Sequence, residues 1–119
     1  MIKKAAERIS ETRENMRGGK GAVAITHYFK KDEFNGPCRL CARLELAPGC
    51  SVGSHEHTAE DEVFIIQQGT GLVNDNGKEV IVTAGDAILT GKGASHAIAN
   101  TGDEPLVITA VIVQYPGSP

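Results

Sequence analysis

Glycine- and asparagine-bearing turns break this chain into short segments along most of its length. From residue 22 onward the breaks fall at Asn35-Gly36-Pro37, Pro48-Gly49, Asn76-Gly77, Gly85-Asp86, Gly91-Lys92-Gly93 and Thr101-Gly102-Asp103-Glu104-Pro105. The segments between them, 22–29, 39–46, 62–68, 71–74, 79–83 and 106–115, alternate in polarity or are rich in β-branched residues, as strands are. Short strands divided by such turns over a whole domain predict an all-β sandwich or barrel. Asn76-Gly77, set between two of these segments, is the strongest hairpin signal. In the last segment Leu106, Ile108, Ala110 and Ile112 hold one parity, and Val107, Val111 and Val113 the other. Apolar residues on both faces predict burial on both sides: one against the core, the other against a second sheet or a partner subunit.

Ahead of the strands, Ile2, Ala5, Ala6 and Ile9 follow a helical spacing. A short, charged surface helix is expected over 2–16, ended by Arg17-Gly18-Gly19-Lys20-Gly21. The expected organisation is a helix and Gly-rich turn over 1–21, a β-barrel over 22–115 and a tail over 116–119. A chain of 119 residues is one domain of ordinary size. Its net charge of -3, with both signs scattered, makes no electrostatic case for nucleic acid or an anionic membrane. No apolar run approaches the ~18–20 residues of a membrane-spanning helix. The N-terminus turns charged again before a signal-peptide core could form, so a cytoplasmic protein is expected. Three cysteines are an odd count, which argues against a disulfide framework. Cys38 and Cys41 form a CxxC, but strand alternation sends a spacing of three to opposite faces. Separate free thiols are expected.

One stretch carries chemistry. His55-Glu56-His57-Thr58-Ala59-Glu60-Asp61-Glu62 gathers two histidines and four acids before the apolar run Val63-Phe64-Ile65-Ile66. In an extended strand i and i+2 point the same way, so His55 and His57 share a face. Glu62 opens the next strand after a bend and could swing back as a third ligand. A fourth donor would come from one of the two remaining histidines, His27 or His96; His96 follows the glycine turn at 91–93.

The spacing Gly49-x5-His55-x-His57-x4-Glu62-x6-Gly69 resembles the first cupin motif at every fixed position. Gly85-x5-Gly91-x-Gly93-x2-His96-x3-Asn100 resembles the second, with Gly91 where the family usually has proline. The gap over 70–84 matches compact single-domain cupins, and the chain looks like small stand-alone cupins of the oxalate-decarboxylase-like kind. The resemblance implies a double-stranded β-helix, or jelly-roll barrel, and assigns the metal positions to His55, His57, Glu62 and His96. Three imidazoles and a carboxylate suit a divalent transition metal: Mn or Fe first, with Zn, Ni, Co and Cu also compatible.

Other residues invite a role. Glu60 and Asp61, in the bend between ligands, are either proton-handling groups or solvated acids. Arg39 and Arg43 could clamp a substrate carboxylate if their strand face lines the barrel. The leucines on the opposite parity, Leu40, Leu44 and Leu46, look like core, which favours an outward face for the arginines. Tyr28 and Gln67 are further pocket candidates. His27, outside the motifs, reads as a surface or satisfied core histidine, and Cys50 as a thiol packed at a turn. Asn74-Asp75-Asn76-Gly77 lacks the spacing of a calcium loop, and Arg17-Gly18-Gly19 lacks the strand–loop–helix context of a phosphate cradle.

The functional expectation is a metalloenzyme acting on a small oxygen-rich carboxylate. The alternatives are a non-catalytic module that binds a small molecule or a metal, and a dioxygenase or sugar-acid isomerase or lyase. The expected partners are a small-molecule ligand and a second copy of the chain.

Overall fold

The strand that closes the chain organises the rest. Leu106, Ile108, Ala110 and Ile112 turn their side chains into the interior and are each at most 4% exposed. This strand, β10 (Leu106–Gln114), lies between β3 (Cys38–Leu46) and β5 (Glu60–Gln68), antiparallel to both. The remaining strands are β1 (Ile9–Glu14), β2 (Ala22–Phe29), β4 (Ser51–Glu56), β6 (Thr70–Asp75), β7 (Lys78–Thr83), β8 (Ala87–Thr90) and β9 (Ser95–Asn100). They form a six-stranded sheet, β1-β2-β3-β10-β5-β8, and a four-stranded sheet, β4-β9-β6-β7. The two face each other across one apolar core. Leu44, Leu46, Ile66 and Ile108 come from the larger sheet; Val52, Val73, Val82 and Ile98 come from the smaller. This is the expected jelly-roll barrel. It is seen in a computed structural model that describes residues 1–117, so the last two residues of the expected tail lie outside the described residues.

The N-terminal helix is not formed. A single 3-10 turn spans Ala5–Glu7, and the chain then runs as β1 along the edge of β2. The residues that suggested a helix have nothing to pack against: Ile2 is 82% and Ile9 55% exposed. Pairing wins because β2 would otherwise present an open edge, and Ser10 Oγ meets Thr26 Oγ1 across it at 2.9 Å. The pairing also puts Glu11 and Arg13 in the lining of the barrel cavity, with both side chains still partly exposed.

The Asn76-Gly77 hairpin forms as expected, with both residues at positive φ (51° and 96°), the geometry of a type I′ turn. On the outer face of the larger sheet, one register row runs Cys41, Val111, Val63, Leu89. Leu89 is 67% exposed. The second apolar parity of β10 thus joins an apolar outer stripe. No helix among the described residues is long and apolar enough to cross a membrane.

A candidate metal centre at the base of the barrel cavity

His55 stands on β4, His57 follows that strand's end, Glu62 lies near the start of β5 and His96 on β9. Cross-strand pairing sets His55 opposite His96. One ligand-type atom from each of the four residues falls within 4.8 Å of all the others. The Nε2 atoms of His57 and His55 each lie 3.0 Å from His96 Nε2. Glu62 Oε1 is 2.9 Å from both His57 Nε2 and His96 Nε2 and 3.9 Å from His55 Nε2.

The outer ring nitrogens explain why these atoms converge. His55 Nδ1 meets the Gly53 carbonyl at 2.9 Å, His57 Nδ1 meets Glu60 Oε2 at 2.6 Å, and His96 Nδ1 meets Thr90 Oγ1 at 2.9 Å. With each Nδ1 proton directed outward, three bare Nε2 lone pairs and a carboxylate oxygen face one another. Such a cluster of acceptors is mutually repulsive unless a cation or protons sit within it. For metal–nitrogen bonds of about 2.1 Å, adjacent ligands of an octahedral ion are about 3.0 Å apart, which matches the short spacings. The donor set therefore fits a divalent transition metal, and the outward partners are the kind that orient ligating histidines.

Electrostatics follow the same geometry. Without an ion, protons on the inward nitrogens take its place: burial alone would raise Glu62, but hydrogen bonds from the three imidazoles then outweigh it and hold the carboxyl well below its usual range. Hydrogen bonding to Glu62 raises His57, against burial, and Glu60 adds to the effect. His96 is fixed further by stacking on Phe64, with ring centroids 4.7 Å apart and planes 12° from parallel.

The two acids of the bend both have fixed partners. Arg39 donates from Nε and Nη2 to the two oxygens of Glu60, at 2.6 and 2.7 Å. These bonds hold Glu60 below the usual carboxylate range, against burial and with help from His57. Arg39, Glu60 and His57 thus form one chain leading to the centre. Asp61 accepts from the Tyr115 hydroxyl at 2.6 Å, and that hydroxyl accepts from the Lys92 backbone N–H at 2.9 Å. Gly91 lies directly against this pair, and a Cβ there would overlap Asp61 Oδ1. The space that a proline ring would need is taken by the Asp61–Tyr115 contact. Two backbone bonds hold this turn: Gly93 N–H donates to the His57 carbonyl and His57 N–H to the Ala94 carbonyl, at 2.8 and 3.1 Å. These bonds join the loops that carry His57 and His96.

The two arginines of β3 part company. A bulge in the pairing of β3 with β10 leaves Arg39 without a partner residue, as Ile112 faces Leu40 and Val113 faces Cys38. Bulges re-aim side chains, and Arg39 lines the cavity, contrary to the outward face expected of it. Arg43 does point outward and pairs with Glu45 at 2.9 Å. The same bulge breaks the alternation that was to separate Cys38 from Cys41. Both thiols are free. Burial, and then the neighbouring Cys38, raise the Cys41 thiol, the opposite of what an activated cysteine needs. Tyr28 lies under the Arg8 guanidinium, 4.7 Å from its ring centroid, and Gln67 donates to Thr109 Oγ1 at 3.3 Å; neither is among the cavity-lining residues. Cys50 packs against the core edge.

A cavity of about 190 Å³ opens over the centre, with His55, His57, Glu62 and Arg39 in its wall. Its lining also holds Glu11, Arg13, Arg17 and His27. The first three were missed in the sequence because they sit on the strand read as a helix and the turn after it. Alternation of Glu11 and Arg13 with Ser10 and Thr12 was the signal available.

Comparison with known proteins agrees with this architecture. The chain is 44% identical over 113 residues to an oxalate-binding protein of Thermotoga maritima, covering 95% of this chain and 93% of that one. It superposes with a TM-score of 0.91 on the crystal structure of a predicted oxalate decarboxylase from Thermotoga maritima, at 44% identity and over 96% and 99% of the two chains. KdgF from Halomonas sp. shares the fold at 15% identity, with a TM-score of 0.75 over 98% and 96% of the chains. The family profile of the cupin domain matches residues 42–112. With both motifs placed around one cavity, the chain belongs to the cupin family.

Proposed function

We propose that this protein holds a divalent transition metal, Mn or Fe first, on His55, His57, Glu62 and His96, and through it takes up a small oxygen-rich carboxylate such as oxalate. The carrying observation is the convergence of three Nε2 atoms on Glu62 Oε1 while every Nδ1 is bound elsewhere. When bound, the metal supplies Lewis-acid polarisation of a ligand oxygen. Four protein donors leave an ion that prefers six ligands with two free positions. The cavity opens onto the centre beside Arg39, whose guanidinium spends two of its five N–H donors on Glu60. The remaining donors suit an acid oxygen. Glu60 acts as a positioning residue: it orients His57 and keeps its Nε2 free for the ion.

Two readings of the ligand's fate stand on this site. Turnover in the manner of an oxalate decarboxylase needs a group that moves protons. Simple binding does not, and it is favoured by Glu60 and Asp61 both being engaged, by Arg39 and Tyr115. The name of the 44% identical relative, an oxalate-binding protein, supports the same reading. The outer stripe of Cys41, Val111, Val63 and Leu89 supports pairing of two copies, which light scattering in solution would test. Calorimetric titration of the metal-loaded protein with oxalate tests the function. Metal-dependent binding without release of carbon dioxide is expected. Release of carbon dioxide establishes turnover, oxygen uptake points to a dioxygenase, and no binding of any small acid rejects the proposal.

A further inference from the structure

The cavity that opens over the candidate metal centre carries a second polar cluster. His27 is 12% exposed and its Nε2 is buried, with no hydrogen-bond partner among the described residues. The same holds for Glu11 Oε1, 3.6 Å away. Arg13 Nη2 comes within 2.9 Å of that oxygen, but as a charge contact rather than an aligned hydrogen bond. A buried polar atom without a partner costs about 1–3 kcal/mol, and native proteins keep few of them; His27 Nε2 is such an atom, while Glu11 Oε1 keeps the Arg13 charge beside it.

The pair lines the same cavity as the centre, on strands of the larger sheet. One inward register row runs from His27 through Ala42 and Ala110 to Phe64, the ring on which His96 stacks. That is three strand spacings, roughly 14 Å along a flat sheet, shortened here by the curl of the barrel. Glu11 and His27 share the cavity with His55, His57 and Glu62.

A gap of 3.6 Å is too long for a hydrogen bond between the two groups, but a single oxygen can lie about 2.8 Å from both. That oxygen must accept from the imidazole N–H, with its proton on Nε2, and donate to the carboxylate. A hydroxyl does both. A second carboxylate could accept from His27 but would meet the charge of Glu11. We propose that Glu11 and His27 form a subsite for a hydroxyl group, so that the preferred ligand is a small hydroxy acid with its carboxylate at the centre. This rests on the metal-and-carboxylate reading above for the orientation of the ligand.

The test titrates metal-loaded protein with tartronate against malonate, malate against succinate, and oxalate as the reference. Wild type should bind the hydroxylated member of at least one pair about tenfold more tightly, as expected where a site's buried polar groups are otherwise left unpaired. His27→Phe should bring that preference below about threefold, with metal content and oxalate affinity unchanged. Glu11→Leu, at a partly exposed edge position, should do the same and guards against misfolding of the first variant. Wild type without a preference overturns the subsite, as does a preference that survives both substitutions. A preference that persists in wild type while the protein takes neither metal nor oxalate would uphold the subsite and reject the metal reading.

Discussion

Two polar clusters share one cavity and are built in opposite ways. At the centre, each imidazole is bound at Nδ1 by a different element, His96 is stacked on Phe64, and Arg39 braces Glu60 behind His57. Elsewhere in the cavity lining, His27 and Glu11 lie on two strands with nothing aligned between them. The first cluster is over-determined, as a site must be if it holds an ion in fixed geometry. The second has spare hydrogen-bonding capacity, as suits a site completed by its ligand. A buried polar group tells little by itself; whether its other atoms are bound tells which kind of site it serves.

The contrast breaks most sharply under donor removal. His96→Ala should take bound metal from near-stoichiometric to trace, and His27→Ala should leave it unchanged, by elemental analysis. Equal metal in the two would erase the distinction. Next in size is the outward support: Glu60→Ala should weaken metal binding by about 10–100-fold in a competition titration, with His55, His57, Glu62 and His96 all intact.

The pH dependence sharpens the same point. Glu62 is depressed in the folded state, so its contribution is present above the usual carboxylate range and lost as pH falls through the lowered value. His57 is raised, so its contribution is present below the usual imidazole range and lost as pH rises through the raised value. Metal-free protein should therefore melt at its highest temperature in the mildly acidic window between them and lose Tm toward alkaline pH. Metal-loaded protein should lose that alkaline decline, because the ion replaces the proton. The smallest effect expected is packing: Gly91→Ala should cost about 1–3 kcal/mol by overcrowding Asp61. In an Asp61→Ala background the cost should fall to what the Tyr115 hydroxyl contact leaves, as a double-mutant cycle in denaturant would show.

Much of this was legible in the sequence. The turns at Asn76-Gly77, Gly85 and Gly93 mark strand ends because few other residues suit those positive-φ backbones, and the barrel follows. The four donors are legible because they lie in two short, fixed spacings. Glu11 and His27 are not, since they lie 16 positions apart on neighbouring strands and meet only through pairing. β1 was misread because its helical spacing of apolar residues had no tertiary surface to bury against; an open strand edge decided its fate instead. Arg39 was misplaced because strict alternation cannot anticipate a bulge.

Four side chains are proposed to hold one ion. Mass-spectrometric elemental analysis of the untagged protein, purified without chelator, tests it most directly. Near-stoichiometric Mn or Fe is the predicted result. A protein that carries no transition metal and takes up none when it is added would show that the four side chains do not hold an ion.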